Sequence, residues 1–290
     1  MGIDVLETFP LAKKKVEQAQ DILKLDFLKL VSDSDKLNKT KHAQLAIYIL
    51  SCALYEILAI KEMDIAFVAG HSLGEFSAIY ASGSITFEYG LEMVKRRAEL
   101  MGAAAKKNPG AMAAVMGMST GQVKEIAGSI DDLYIANINS GSQIVLSGST
   151  KAVENSEAIF LKNGAKRFIK LSVGGAFHSK FMADAAQEFK KSIDESRVAD
   201  PKIPVISNIT AEPMTSKKEI IYELANQMCS NVNWLGCVTM ASKANVDTFV
   251  EVGPGAVLSN LIKRIDSDLK LYNMSTVEKI EQLPKEWINE

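Results

Sequence analysis

Gly70-His71-Ser72-Leu73-Gly74 is a G-x-S-x-G pentapeptide, the spacing that lifts a serine hydroxyl clear of its surroundings on a strained strand-to-helix turn. A turn that tight needs glycines where any Cβ would collide, here Gly70 and Gly74. The chemistry would be nucleophilic acyl transfer. Ser72 Oγ attacks a carbonyl, and the N–H of Leu73 meets the oxyanion that forms. The pentapeptide alone is also compatible with an ordinary turn. Its flanks favour catalysis: Ile65-Ala66-Phe67-Val68-Ala69 reads as a buried parallel strand, and a helical pattern follows the glycine at once.

A serine nucleophile needs a base, and the chain holds 3 histidines. His42 lies on a helix with an apolar face and reads as a surface or half-buried helix residue. His71 adjoins the nucleophile, so its side chain should point away from the hydroxyl and brace the turn. His178, in Gly174-Gly175-Ala176-Phe177-His178-Ser179, follows a strand directly, where catalytic groups commonly sit. Any lone histidine can be structural, but elimination favours His178 as the base.

The elements that must position these residues are legible in outline. Residues 10–24 and 40–60 carry apolar side chains at helical spacing. From Ala111 the pattern changes to strand 111–118, helix 120–129, strands 133–137 and 143–147, helix 151–163 and strand 167–173. The order βαββαβ is the ferredoxin-like pattern, so residues 108–175 are expected to form an inserted subdomain. The remainder alternates helix 181–195, strand 205–209, helices 217–229 and 234–243, strand 248–252, helix 256–265 and strand 269–274. Parallel strands with intervening helices predict an α/β body, 1–107 and 176–290, built on a doubly wound parallel sheet.

Composition excludes several classes of function. Hydrophobic content of 47% and charged content of 23% describe a globular chain rather than a disordered one. A net charge of −2 gives nucleic acid no electrostatic footprint. No apolar run approaches the roughly 20 residues a membrane-spanning helix requires, and the N-terminus carries no signal-peptide pattern. Cys52, Cys229 and Cys237 are too few and scattered for a disulfide framework or a metal site. They read as small buried hydrophobes in a cytoplasmic protein.

Three stretches taken together, Gly70 to Glu75, Gly175 to Ser179 and Glu251-Val252-Gly253-Pro254-Gly255, resemble the bacterial malonyl-CoA:acyl carrier protein transacylases and polyketide-synthase acyltransferase domains. Asn137-Ile138-Asn139, Ser207-Asn208-Ile209-Thr210 and Lys263-Arg264-Ile265 match as well. The resemblance spans nearly the whole chain and implies a hydrolase-like body with a ferredoxin-like insert. It implies transfer of malonyl from malonyl-CoA through Ser72 to the phosphopantetheine thiol of an acyl carrier protein, in fatty-acid synthesis. His178 would be the base, oriented by the backbone carbonyl of Gln227. Arg97 would grip the malonyl carboxylate, in a helix whose Lys95-Arg96-Arg97 run otherwise reads as a solvated face. Leu73 and Phe177 resemble malonyl-selective members, since a bulky Phe fills the space of a C2 methyl group. Met101, Asn137, Asn139 and Gln143 would help to line the cleft, or for the asparagines and glutamine to stabilise the turn. Lys166 and Arg167 match positions proposed to meet the acidic carrier protein, with Lys180 a weaker candidate and a solvated charge run the plain alternative. No cofactor or metal is implied, and a monomer is expected.

This chain departs from the family in places. Ser140-Gly141-Ser142-Gln143 stands where members often have Ser-Pro-Gly-Gln, and Leu45 stands at a usual proline. Met1-Gly2 matches a point beyond the family's first strand and its Gly-Gln-Gly-Ser-Gln loop, so that strand and its oxyanion glutamine are expected to be missing. Two rivals remain. A serine esterase would need an acid between Ser72 and His178, where Asp131 and Asp132 lie within the predicted insert. A catalytically impaired scaffold would bind the carrier protein without acylation of Ser72. A stand-alone polyketide-type acyltransferase is a third variant of the reading.

Overall fold

The computed structural model describes residues 2–37, 40–59 and 63–289; Met1, discussed above as a starting point, and Ile60, the last residue of the predicted 40–60 helix, lie outside them. A helical half comes first: α1 Ile3–Thr8, α2 Pro10–Leu23, α3 Phe27–Val31, α4 Ser34–Leu37, α5 Thr40–Tyr55, α6 Gly74–Ala81 and α7 Phe87–Lys107. Pro10 starts α2 at a position where its missing N–H costs nothing. Helix α5 is buried along almost its whole length, with Leu45, Tyr48, Ile49, Cys52 and Ala53 in the largest core cluster. Thr86 caps α7 by accepting from the N–H of Tyr89. The inward face of α7 carries Met93, Arg97 and Met101 at four-residue spacing. Arg97 therefore occupies a core position of an amphipathic helix, while Lys95 and Arg96 face solvent.

Four strands then form one antiparallel sheet: β1 Gly110–Met116, β2 Leu133–Ser140, β3 Gln143–Ser149 and β4 Arg167–Lys170, in the order β2-β3-β1-β4. Helices α8 Thr120–Gly128 and α9 Thr150–Lys162 connect them, and a Ser119/Gln122 capping box starts α8. One sheet face buries Ala113, Val115, Leu133, Ile144 and Leu146 against Val123, Val153 and Phe160 of the two helices. On the other face, Met112, Ala114, Ala136 and Val145 pack against Leu171 and Phe177. The second face thus braces the loop that carries His178.

The last segment contains α10 Ala183–Lys191, β5 Val205–Ile206, β6 Pro213–Met214, α11 Lys217–Asn226, α12 Trp234–Lys243, β7 Thr248–Glu251, α13 Val257–Ile265, β8 Lys270–Asn273 and α14 Val277–Ile280. A 3₁₀ turn, Gln227–Cys229, extends α11, so the predicted 217–229 helix tightens at its end.

A doubly wound parallel sheet is not clear among the described residues. The chain is a mixed α/β fold with the four-stranded antiparallel sheet and two two-stranded sheets, β5-β6 antiparallel and β7-β8 parallel. Residues 65–69 make only one parallel bridge, Val68 to Val205, instead of a ladder. The side-chain alternation of a larger sheet nevertheless persists. Phe67, Ile206, Phe249 and Leu271 fall in one core cluster, and Val68, Val205, Val250 and Tyr272 in another. Apolar patterning places side chains on faces, but a sheet also needs adjacent backbones about 4.8 Å apart. Among the described residues no hydrogen bond links 65–69 to β7, and the parallel region stays in pieces. No helix of the described residues is long and apolar enough to cross a membrane, and none of their His, Cys, Asp and Glu groups could hold a metal ion.

Candidate active site

Ser72 sits at φ 53°, in the left-handed region where a non-glycine residue is strained. A Cβ on Gly70 would lie 2.0 Å from the carbonyl carbon of Gly74, so Gly70 is required for the turn to close. Gly74 is not required in that way, because a Cβ there would meet nothing within 4 Å. The expectation that both glycines avoid a collision holds for the first alone. Asn208 ties the turn down, accepting from the N–H of Ser72 at 2.7 Å and donating to the carbonyl of Gly70 at 2.7 Å. Leu73, buried, is the residue just before α6, and the N–H groups at a helix start have no intrahelical partner.

His178 also has positive φ, 56°, and its Nε2 lies 2.7 Å from Ser72 Oγ. Its Nδ1 is 3.1 Å from the carbonyl of Gln227 and 3.0 Å from the carbonyl of Ser230. Two carbonyls accept the Nδ1 proton, which leaves Nε2 as the acceptor for the serine hydroxyl. No carboxylate enters this arrangement, and Asp131 and Asp132 are exposed at the entry to β2, which removes the structural basis of the esterase alternative. Burial, and next the nearby Arg97 charge, hold the His178 imidazole down to about 3. That depression favours the neutral imidazole, the form that can accept a proton.

Arg97 is 1% exposed. Its Nη1 donates to Gln44 Oε1 at 2.6 Å, and its Nη2 to Gln227 Oε1 at 2.9 Å and Ser72 Oγ at 3.1 Å. Every one of these acceptors is neutral, and its buried Nε has no partner among the described residues. Burial lowers Arg97 to about 10, with Glu75 acting the other way, so the group stays charged. A cation with unspent donors beside the nucleophile can receive a carboxylate. Met101 supports it one step removed, its sulfur accepting from Gln44 Nε2 at 3.5 Å.

The remaining predicted residues divide. Phe177 is half-buried against the braced sheet face. Asn139 is committed to His71, whose Nε2 lies 2.9 Å from Asn139 Oδ1 while its ring tilts over Trp234. Asn137 bridges Val232 through its backbone, and its buried Oδ1 has no partner among the described residues. Gln143 accepts from Arg264 Nη1 at 2.6 Å at the surface. His42 is half-buried on α5. Arg167, the first residue of β4, and Lys166 just before it are exposed on the sheet edge farthest from β2. A cavity of about 480 Å³ beside the base is lined instead by Lys124, Tyr134, His178, Lys180 and Ser230. Sequence reasoning gave no role to Gln44, which holds Arg97, or to Glu75, which holds Gln227 and appeared only as the last residue of the Gly70-to-Glu75 stretch.

A family model described as the acyl transferase domain matches residues 1–285. The malonyl CoA-acyl carrier protein transacylase of Bacillus subtilis is 37% identical over 287 residues, 97% of this chain and 90% of that protein. The crystal structure of an acyl carrier protein S-malonyltransferase from Vibrio cholerae superposes with a TM-score of 0.92 at 32% identity, over 97% of this chain and 94% of the other. A holo complex of a type II polyketide-synthase acyl-carrier protein with its malonyl-transacylase gives 0.91 at 28% identity, over 97% and 93%.

Proposed function

The chain belongs to the acyl transferase domain family, and on that footing we propose that it moves malonyl from malonyl-CoA to the phosphopantetheine thiol of an acyl carrier protein, supplying fatty-acid synthesis. Ser72 Oγ attacks the thioester carbonyl as His178 Nε2 takes its proton. The oxyanion forms against the N–H of Leu73. Collapse of the tetrahedral species expels the coenzyme A thiolate, which takes the proton from His178 and leaves a malonyl ester on Ser72. The carrier-protein thiol then repeats the sequence in reverse, giving its proton to His178 and receiving the malonyl group.

One observation supports malonyl over a neutral acyl group: the buried Arg97 guanidinium, bonded to neutral acceptors, lies 3.1 Å from the nucleophile. A carboxylate on that guanidinium brings a carbonyl two bonds away to Ser72. Phe177 closes the space beside it. The pattern of faces in the core supports a hydrolase-like body at 1–107 and 176–290 with the small subdomain at 108–175. The reading includes a cytoplasmic monomer without a cofactor. Carrier-protein docking is assigned to basic side chains, with Lys124 and Lys180 at the cavity and Lys166 and Arg167 at the outer edge of a wider footprint.

The test is intact-mass analysis after incubation with malonyl-CoA. Wild type should gain one malonyl ester and Ser72→Ala none. An adduct of the same size on the variant would overturn the assignment of the nucleophile.

A further inference from the structure

Two carboxyls that the transfer steps do not use lie behind the nucleophile turn. Glu75 in the first turn of α6 and Glu223 on α11 are each 1% exposed. Burying a carboxyl is costly unless its oxygens are satisfied, and here all four are. Glu75 Oε1 accepts from the N–H of Asn208 at 2.8 Å, and Oε2 from Gln227 Nε2 at 2.5 Å. Glu223 Oε2 accepts from Ser207 Oγ at 2.5 Å, and Oε1 from the N–H of Ile209 at 3.2 Å. Burial, and next the Glu223 charge, raise the Glu75 carboxyl well above its usual range.

What Glu75 fixes is the Gln227 side chain. Its Nε2 donates to Glu75 Oε2 and to the carbonyl of Ser72 at 2.8 Å, while its Oε1 accepts from Arg97 Nη2. A side-chain amide has a donor end and an acceptor end. Flipped, it would set an NH₂ against the guanidinium NH₂, donor facing donor. Glu75 presents an acceptor where the amide must donate, and so decides which end faces Arg97. Gln44 holds the other edge of the guanidinium in the same sense.

We infer that Glu75 is a positioning residue for acyl-group selectivity: it sets the orientation of the Gln227 amide and, through it, the plane in which Arg97 waits for the substrate carboxylate. The inference rests on the reading that a malonyl carboxylate seats on Arg97. Gln227 then acts twice, through its carbonyl on His178 and through its amide on Arg97.

The test compares kcat/KM for malonyl-CoA and acetyl-CoA in wild type, Glu75→Met, Glu75→Gln, Gln227→Met and the double Met variant. The malonyl-to-acetyl ratio should fall about tenfold or more in Glu75→Met and similarly in Gln227→Met. The double variant should lose no more than either single one, because the two act through one contact. Glu75→Gln keeps an acceptor in place and should hold the ratio within about threefold. Proportional loss for both acyl groups in Glu75→Met means a structural role and overturns the inference. Should Glu75→Met fail to fold, a wild-type ratio in Gln227→Met overturns it, and a lost ratio there beside a kept one in Glu75→Gln supports it. Wild type with no malonyl preference overturns the functional reading and the inference together; a preference that survives in Gln227→Met overturns the inference alone.

Discussion

Ser72 Oγ and His178 Nε2 meet at 2.7 Å from two residues that both hold left-handed backbone, φ 53° and 56°. Each conformation costs of order 1–3 kcal/mol and persists because its surroundings impose it. Asn208 imposes it on Ser72 from both sides of the turn.

Ser72→Gly and Ser72→Ala both lose the hydroxyl, so their difference sets the backbone strain of an alanine at this φ against the extra unfolded-state entropy of glycine. Glycine should be the more stable variant by about 1 kcal/mol, the reverse of the usual order. Urea unfolding of the two proteins measures it. Alanine the more stable by the usual margin would mean that the turn is unstrained.

Arg97→Ala should cost malonyl transfer far more than acetyl transfer. Breaking a buried charge pair costs about 3–5 kcal/mol, two to three powers of ten in rate. Steady-state kcat/KM with both thioesters checks this, and an equal loss for both would make Arg97 a packing residue.

The pH profile should carry a signature of His178. Its proton affinity is depressed, to about 3, chiefly by burial and next by Arg97. A depressed value keeps the imidazole neutral, and able to accept the Ser72 proton, well below the usual value of about 6.5. The acid limb of acetyl-CoA kcat/KM should therefore lie below about pH 5. Arg97→Gln removes the second cause and should move the limb upward. A wild-type limb near the ordinary histidine value would contradict the site's electrostatics.

Charge reversal at Lys124 and Lys180 should raise the KM for carrier protein more than reversal at Lys166 and Arg167. The first pair lines the cavity at His178, whereas β4 lies three strand spacings, roughly 14 Å, from β2. The KM for malonyl-CoA should change little, and the difference should fade at high salt. A larger effect from Lys166 and Arg167 would place docking on the outer edge.

How much of this was legible depended on how local each feature is. The Ser72 turn is written in five consecutive residues, and the βαββαβ segment announces itself through alternating periodicity. Arg97 reads as part of a basic run until the helix is rolled onto its buried face. Glu75 ends the Gly70-to-Glu75 stretch that resembles the family, but its role is not legible there, since an acid in the first turn of a helix ordinarily faces solvent and favours the helix dipole. Its partners Asn208 and Gln227 are far away in sequence, and buried pairing of that kind is settled only by tertiary packing. The parallel sheet is legible only in part for the complementary reason: apolar runs specify faces but not which backbones become neighbours.

The parallel bridge between Asn137 of β2 and Val232 has a consequence for anyone who recombines these proteins. Ile138 N–H donates to the Val232 carbonyl and Val232 N–H to the Ala136 carbonyl, both at 2.8 Å. Val232 lies two residues beyond Ser230, whose carbonyl holds the imidazole. The β1–β4 sheet transplanted from a relative therefore carries half of a seam whose other half holds the His178 imidazole. Chimaeras cut at 108 and 175 alone should fold yet turn over poorly, and grafts that bring residues 229–233 from the same donor should recover.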